Sequence, residues 1–150
     1  IEGNIFYDSS GEQLLLNLSR DENRDRGTNV VRSNVIVTRR DGSTCYIVRN
    51  WEGGLEKINC ERNCIWAGGE TPRVEGINGS PEQAWEKWRA AGEEAGSVVQ
   101  DPLLTDPERD DFSLAAQSSA FELGFEPIDQ SRIGLVGYSE ELVSRFLHSE

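Results

Sequence analysis

The chain has 150 residues, a hydrophobic fraction of 36% and a formal net charge of -12. That fits one polar domain with a modest core, and it argues against nucleic acid or an anionic membrane as partner, since both need a basic face. No apolar run approaches a membrane span and no signal peptide is seen. The first residue is Ile, so the sequence is expected to begin after processing or within a longer protein.

Three stretches share one pattern, apolar-x-x-Asn-apolar-apolar-apolar. They are Ile1 to Tyr7, Val31 to Val37 and Cys60 to Trp66. Their asparagines, Asn4, Asn34 and Asn63, lie 30 and then 29 residues apart. A second strand follows the first two, at Leu14 to Leu18 and at Cys45 to Val48. Turn signals separate them, Asp8-Ser9-Ser10-Gly11 and Arg40-Asp41-Gly42-Ser43. A third apolar stretch, Leu55 to Cys60, leads into Asn63.

Short strands repeating in register predict a stacked parallel arrangement. The asparagines should form an amide ladder at a corner, where Asn tolerates left-handed backbone. The charged segment 19 to 28 reads as a solvated loop, or as a loop beside a ligand groove.

Cys60 and Cys64 are spaced as C-x3-C, but the repeat puts Ile and Val in their places. The chain has three cysteines and one histidine, His148, far off in sequence. A zinc site needs four ligands, or three and water. The cysteines therefore read as small apolar residues, and neither a metal nor a cofactor is expected.

The pattern changes at Ser80. Ser80-Pro81-Glu82-Gln83 is a helix start. Ala84, Trp85, Trp88 and Ala91 recur at helical spacing, and Gly92 ends the run. Trp85 and Trp88 read as packing residues, with a sugar-stacking platform as the alternative. Residues 93 to 135 hold short apolar runs between Asp-Pro turns. Ser139 to Leu147 predicts a terminal helix with Leu142, Val143, Phe146 and Leu147 on one face.

Several of these residues carry a resemblance. They are Ser97-Val98-Val99-Gln100-Asp101-Pro102-Leu103-Leu104-Thr105-Asp106-Pro107, Asp111-Phe112-Ser113-Leu114, Leu123-Gly124-Phe125-Glu126-Pro127-Ile128-Asp129 and Ile133-Gly134-Leu135. With the helix around Trp85 and the corners at Asn4 and Asn63, they resemble the closing part of the right-handed parallel β-helix repeat proteins. Many of those are secreted bacterial glycoside hydrolases acting on plant or algal polysaccharides. The resemblance covers residues 1 to 136. It departs at Ser118-Ser119-Ala120, where the family has Ser-Pro-Ala, and in the extra terminal helix.

The resemblance implies a mainly β fold, a right-handed parallel β-helix of about three coils with short flanking or capping helices. It implies two parts, 1–79 as terminal coils and 80–150 as helix, irregular closing segment and terminal helix. It implies a secreted or periplasmic carbohydrate-active protein, first of all a glycoside hydrolase on complex polysaccharide. The alternatives are a non-catalytic binding or assembly module, and a polysaccharide lyase. The partners implied are a polysaccharide or oligosaccharide and further β-helix coils preceding this chain, from the same polypeptide or another.

No carboxylate pair stands out among Glu12, Asp41, Glu52, Glu56 and Glu61, so the catalytic residues stay unassigned. The candidate substrate contact is Arg49, Asn50, Trp51 and Glu52, on a Gly-rich turn. Trp faces stack on sugar rings and Arg holds sulfate or uronate. The alternative is an ordinary corner with Trp51 half buried. Tyr46 and Trp66 are weaker candidates.

Overall fold

The computed structural model describes residues 1–18, 28–51 and 58–128. The β-branched and aromatic runs seen in the sequence form short strands. They are β1 (Ile5–Tyr7), β2 (Glu12–Asn17), β3 (Asn29–Arg32), β4 (Val35–Val37), β5 (Thr44–Arg49), β6 (Ile58–Glu61), β7 (Cys64–Trp66) and β8 (Val74–Glu75). One helix, α1 (Pro81–Ala90), precedes β9 (Val98–Val99), β10 (Leu104–Asp106) and β11 (Asp111–Leu114).

Three sheets are parallel. Their orders are β1-β4-β7-β9, β2-β5-β8 and β3-β6, while β10 and β11 pair antiparallel. The register is the one the asparagine spacing predicts, Ile5 facing Val35 and Val35 facing Cys64, and β9 extends it with Val98 facing Cys64. In the second sheet Leu14 faces Tyr46 and Tyr46 faces Val74.

The expected right-handed parallel β-helix of about three coils is corrected. What forms is several short parallel sheets with one helix, and no closed solenoid is found among the described residues. The parallel sheets hold four, three and two strands, so they do not repeat as equal turns. After Glu75 the chain leaves the repeat, enters α1, and rejoins the first sheet as β9, with a single parallel bridge from Ala95 to Glu61 of β6. Of the expected flanking helices, α1 forms. The terminal helix at 139–147 lies outside the described residues, as does most of the charged loop at 19–28.

The corner before each asparagine is also corrected. The left-handed residue is not the asparagine but the one before it: Gly3 (φ 67°), Ser33 (φ 52°) and Arg62 (φ 53°). Asparagine holds its place through its amide. Asn4 N and Nδ2 donate to Asn34 Oδ1 at 3.0 and 3.2 Å. Asn34 N and Nδ2 donate to Asn63 Oδ1 at 3.0 and 3.1 Å. A side chain with one acceptor oxygen and two N–H donors satisfies the chain that turns above it, which neither Ser nor Leu does.

Alternation along β4 and β7 divides the core. Ile36 and Ile65 point to one side, into a cluster with Leu14, Leu16, Tyr46, Val48 and Trp88. Val35, Val37 and Cys64 point to the other, where Ala120, Phe125, Leu104 and Leu114 cover them. The middle strands of the first parallel sheet, β4 and β7, are thus covered on both faces, which parallel pairing favours.

The C-x3-C pair splits across this divide, Cys60 in the first cluster and Cys64 in the second. All three cysteines are buried, and burial pushes their thiols up, Cys45 to about 12. Thiolate is the reactive form. The folded chain at pH 8 is therefore expected to resist a thiol reagent such as Ellman's, and all three thiols should react in denaturant. Rapid native labelling of any one of them would contradict this packing.

Helix α1 starts as its sequence dictates. Gln83 N donates to Ser80 Oγ at 3.4 Å and Ser80 N donates to Gln83 Oε1 at 3.0 Å, a reciprocal capping box. Ala84, Trp85 and Trp88 are its buried residues. The Trp88 ring lies 5.6 Å from those of both Tyr46 and Trp51. The two tryptophans of α1 are packing residues, as the helical spacing suggested.

Candidate functional site

Two turns stack at the entrance of the second parallel sheet. In the first, Ser43 N and Oγ donate back to Arg40 O at 3.0 and 2.7 Å, and Gly42 takes φ 79°. In the second, Glu70 N donates to Ala67 O at 3.0 Å across Gly68 and Gly69, both at positive φ. Such φ values suit glycine. The start of α1 closes the third side. Together they enclose a cleft of about 230 Å³, lined among others by Arg39, Arg40, Asp41, Arg73, Glu70 and Glu82.

The cations there differ in how far they are already engaged. Asp8 is buried, and its Oδ1 accepts Arg39 N at 2.8 Å and Arg40 N at 3.1 Å. Its Oδ2 lies 3.7 Å from Arg39 Nη2 and 3.4 Å from Arg40 Nε. Arg39 Nη2 also donates to Glu108 Oε1 at 2.7 Å and to Tyr7 Oη. Its guanidinium lies 5.0 Å from the Tyr7 ring centroid. The hydrogen bond from Arg39 holds Glu108 below the usual carboxylate range. Arg39 is therefore a structural bolt. Arg40 is partly engaged by Asp8. Arg73 is exposed, with no salt bridge among the described residues.

The carboxylates face those donors. Glu82 accepts Ser80 Oγ at 2.7 Å, and this bond, with help from the charge of Arg73, lowers its pKa. The cleft thus presents guanidinium donors, carboxylate acceptors and turn backbone in one place.

The candidate corner predicted from the sequence lies at the opposite end of β5, roughly 20 Å away at about 3.3 Å per residue. Arg49 and Asn50 are exposed there. Asn50 takes φ 62° and its Nδ2 donates to Asn17 Oδ1 at 3.0 Å, a second amide pair between neighbouring strands. Trp51 is half-buried and packs on Trp88. Glu52 lies outside the described residues. Arg49 and Asn50 thus come together at the surface, with Trp51 turned to the core.

Tyr46 is fully buried and its Oη donates to Glu94 Oε1 at 2.7 Å. Trp66 is half-buried against the second cluster. Of the other carboxylates considered, Glu12 and Asp41 are exposed and Glu61 is half-buried. Glu56 lies outside the described residues. No group of three or more metal-ligating side chains occurs among the described residues, and none of their helices is long and apolar enough to cross a membrane.

Sequence reasoning missed Arg39, Arg40 and Arg73 as neighbours. The Arg39-Arg40-Asp41-Gly42 run was a signal for the first two. Arg73 had none nearby, because stacking brings it there: Cys45 N donates to Arg73 O at 3.0 Å across 28 residues. Comparison with protein-family models, with curated proteins and with solved structures finds no match to this chain.

Proposed function

We propose that this chain binds a polysaccharide as part of an extracellular carbohydrate-active protein. The observation that carries the reading is the mixed lining of the cleft at 38–43 and 67–73. Sugar hydroxyls both donate and accept, so a site for them needs both kinds of partner. Arg40 and Arg73 supply donors, and Asp41, Glu70 and Glu82 supply acceptors. An Arg fork adds a fit to uronate or sulfate. The exposed Arg49 and Asn50, at the far end of the same strand, are a second contact for an extended chain.

Glycoside hydrolysis is the activity proposed for the protein as a whole. It needs a carboxyl group held protonated as general acid, with its pKa raised. Glu82 is shifted the other way. Glu82 thus does not fit the part of that acid, and a non-catalytic module is the second reading.

Affinity electrophoresis against neutral, uronate and sulfated polysaccharides tests both. Arg73→Ala is expected to weaken binding on the order of tenfold, the value of one charge-assisted contact. Loss on Arg49→Ala with Arg73→Ala unchanged would move the site to the other end of β5. No retention of any polysaccharide would end the reading. Release of reducing ends would add the hydrolase activity to it.

A further inference from the structure

Asn78 is the one asparagine of the chain that is followed by glycine, in the run Ile77-Asn78-Gly79-Ser80. The other described asparagines are followed by Ile, Leu, Val, Trp or Cys, whose side chains crowd the next peptide nitrogen. Gly79 leaves that nitrogen open. The fold also keeps glycine there: Gly79 takes φ 132°, and a Cβ added to it would lie 2.8 Å from both Cβ and Oε1 of Gln83, the residue that closes the capping box.

Asn78, Gly79 and Ser80 are exposed. Among the described residues the Asn78 side-chain amide makes no hydrogen bond, and Gly79 N donates none. By contrast, the amides of Asn4, Asn34 and Asn63 are tied in the ladder, and those of Asn17 and Asn50 hold each other. What is engaged at Asn78 is its backbone carbonyl, to which Lys87 Nζ donates at 2.6 Å from the exposed side of α1. That oxygen belongs to the same peptide group as Gly79 N. When the peptide loses its proton, negative charge spreads from the nitrogen onto this oxygen, and a fixed ammonium there stabilises it.

We propose that Asn78 is a modification site, converted by its own chain to aspartate and isoaspartate, with Lys87 promoting the first step. Gly79 N loses its proton to solvent base and attacks Asn78 Cγ. The new C–N bond closes a cyclic imide, and the side-chain nitrogen takes a proton from water and leaves as ammonia. Water then opens the ring at either carbonyl, giving aspartate or isoaspartate. In the net change water is consumed and ammonia released. The new carboxylate stands before the N-terminus of α1, where negative charge is favoured, so the fold persists. The isoaspartate product carries an extra main-chain carbon just ahead of Pro81 and Glu82, which line the cleft. The site thus alters that rim with age, whatever the cleft binds.

The test ages the whole chain in mildly alkaline buffer and maps its peptides by mass spectrometry. Conversion at Asn78 should outpace that at every other asparagine, with both aspartate and isoaspartate formed. Lys87→Met removes the ammonium at an exposed position, and its thermal unfolding should match wild type. It should slow conversion roughly tenfold, the effect of one charge-assisted hydrogen bond on the barrier. In urea the wild-type and Lys87→Met chains should convert at equal rates, since unfolding parts Lys87 from Asn78. Asn78→Gln, whose longer side chain closes the ring poorly, should stay unmodified. Absence of conversion at Asn78, or a folded Lys87→Met chain that converts as fast as wild type, overturns the proposal. So does a difference between the two chains that persists in urea, because the folded contact would then not be its cause.

Discussion

Asn63→Leu is expected to destabilise the fold by about 3–5 kcal/mol, among the largest single-residue losses in this molecule. Leucine branches at the same atom as asparagine, so the change chiefly removes the amide's hydrogen bonds. Asn63 is fully buried and uses its whole amide. Its Oδ1 accepts from Asn34 N and Nδ2, and its Nδ2 donates to Val31 O and Glu94 Oε2, both at 3.1 Å. Leucine strands two donors and a carbonyl. It also takes one partner from Glu94, a buried carboxylate whose remaining donors are Tyr46 Oη and Ser97 Oγ. Each stranded buried group costs about 1–3 kcal/mol. Urea denaturation should show a lower midpoint at unchanged slope. Asn4→Leu, at the exposed end of the same ladder, is the control and should cost under about 1 kcal/mol. Equal losses at the two positions would refute a ladder anchored by burial.

Trp88→Ala is expected to cost a similar amount, about 3–5 kcal/mol, through a different cause. The side chain is fully buried, and its ring contacts those of Tyr46 and Trp51 on either hand. Truncation leaves a cavity where α1 meets the second sheet. Trp88→Phe should recover part of the loss, since it refills some of that volume. Trp51→Ala should cost less, because Trp51 is only partly buried. The comparison also bears on the Arg49–Trp51 corner. A sugar platform at Trp51 would show as lost polysaccharide binding with stability kept; a packing ring shows the reverse. Thermal melts and affinity electrophoresis on one set of variants separate the two.

What the sequence disclosed follows from how local each cause is. Asn4, Asn34 and Asn63 were legible because a constant period puts equal residues in register, and the strand pairs follow. The start of α1 was legible because Ser80, Pro81 and Gln83 act within one turn of chain. The residue bearing the left-handed turn was misplaced by one, since Gly3, Ser33 and Arg62 share no side-chain chemistry. The closed solenoid was an extrapolation of three repeats, and the sheets stop at unequal strand numbers. The charged cleft was hidden because Arg73 meets Ser43 and Glu82 only through stacking and the docking of α1. Trp51 was ambiguous for the same reason, its neighbour Trp88 lying a helix away.

The layer over Val35, Val37 and Cys64 has a consequence for cooperativity. Stacked strands whose contacts reach only the next repeat fray from an end, one unit at a time. Here Ser33 Oγ donates to Leu123 O at 2.8 Å, and Arg39 reaches Glu108, so early turns are tied to late segments. Ala120 and Phe125 pack on strands some ninety residues earlier in the chain. Loss of one strand would strip this layer from all the others. The molecule should thus melt as one unit, in a single transition that hydrogen exchange would report as shared protection along β1, β4 and β7.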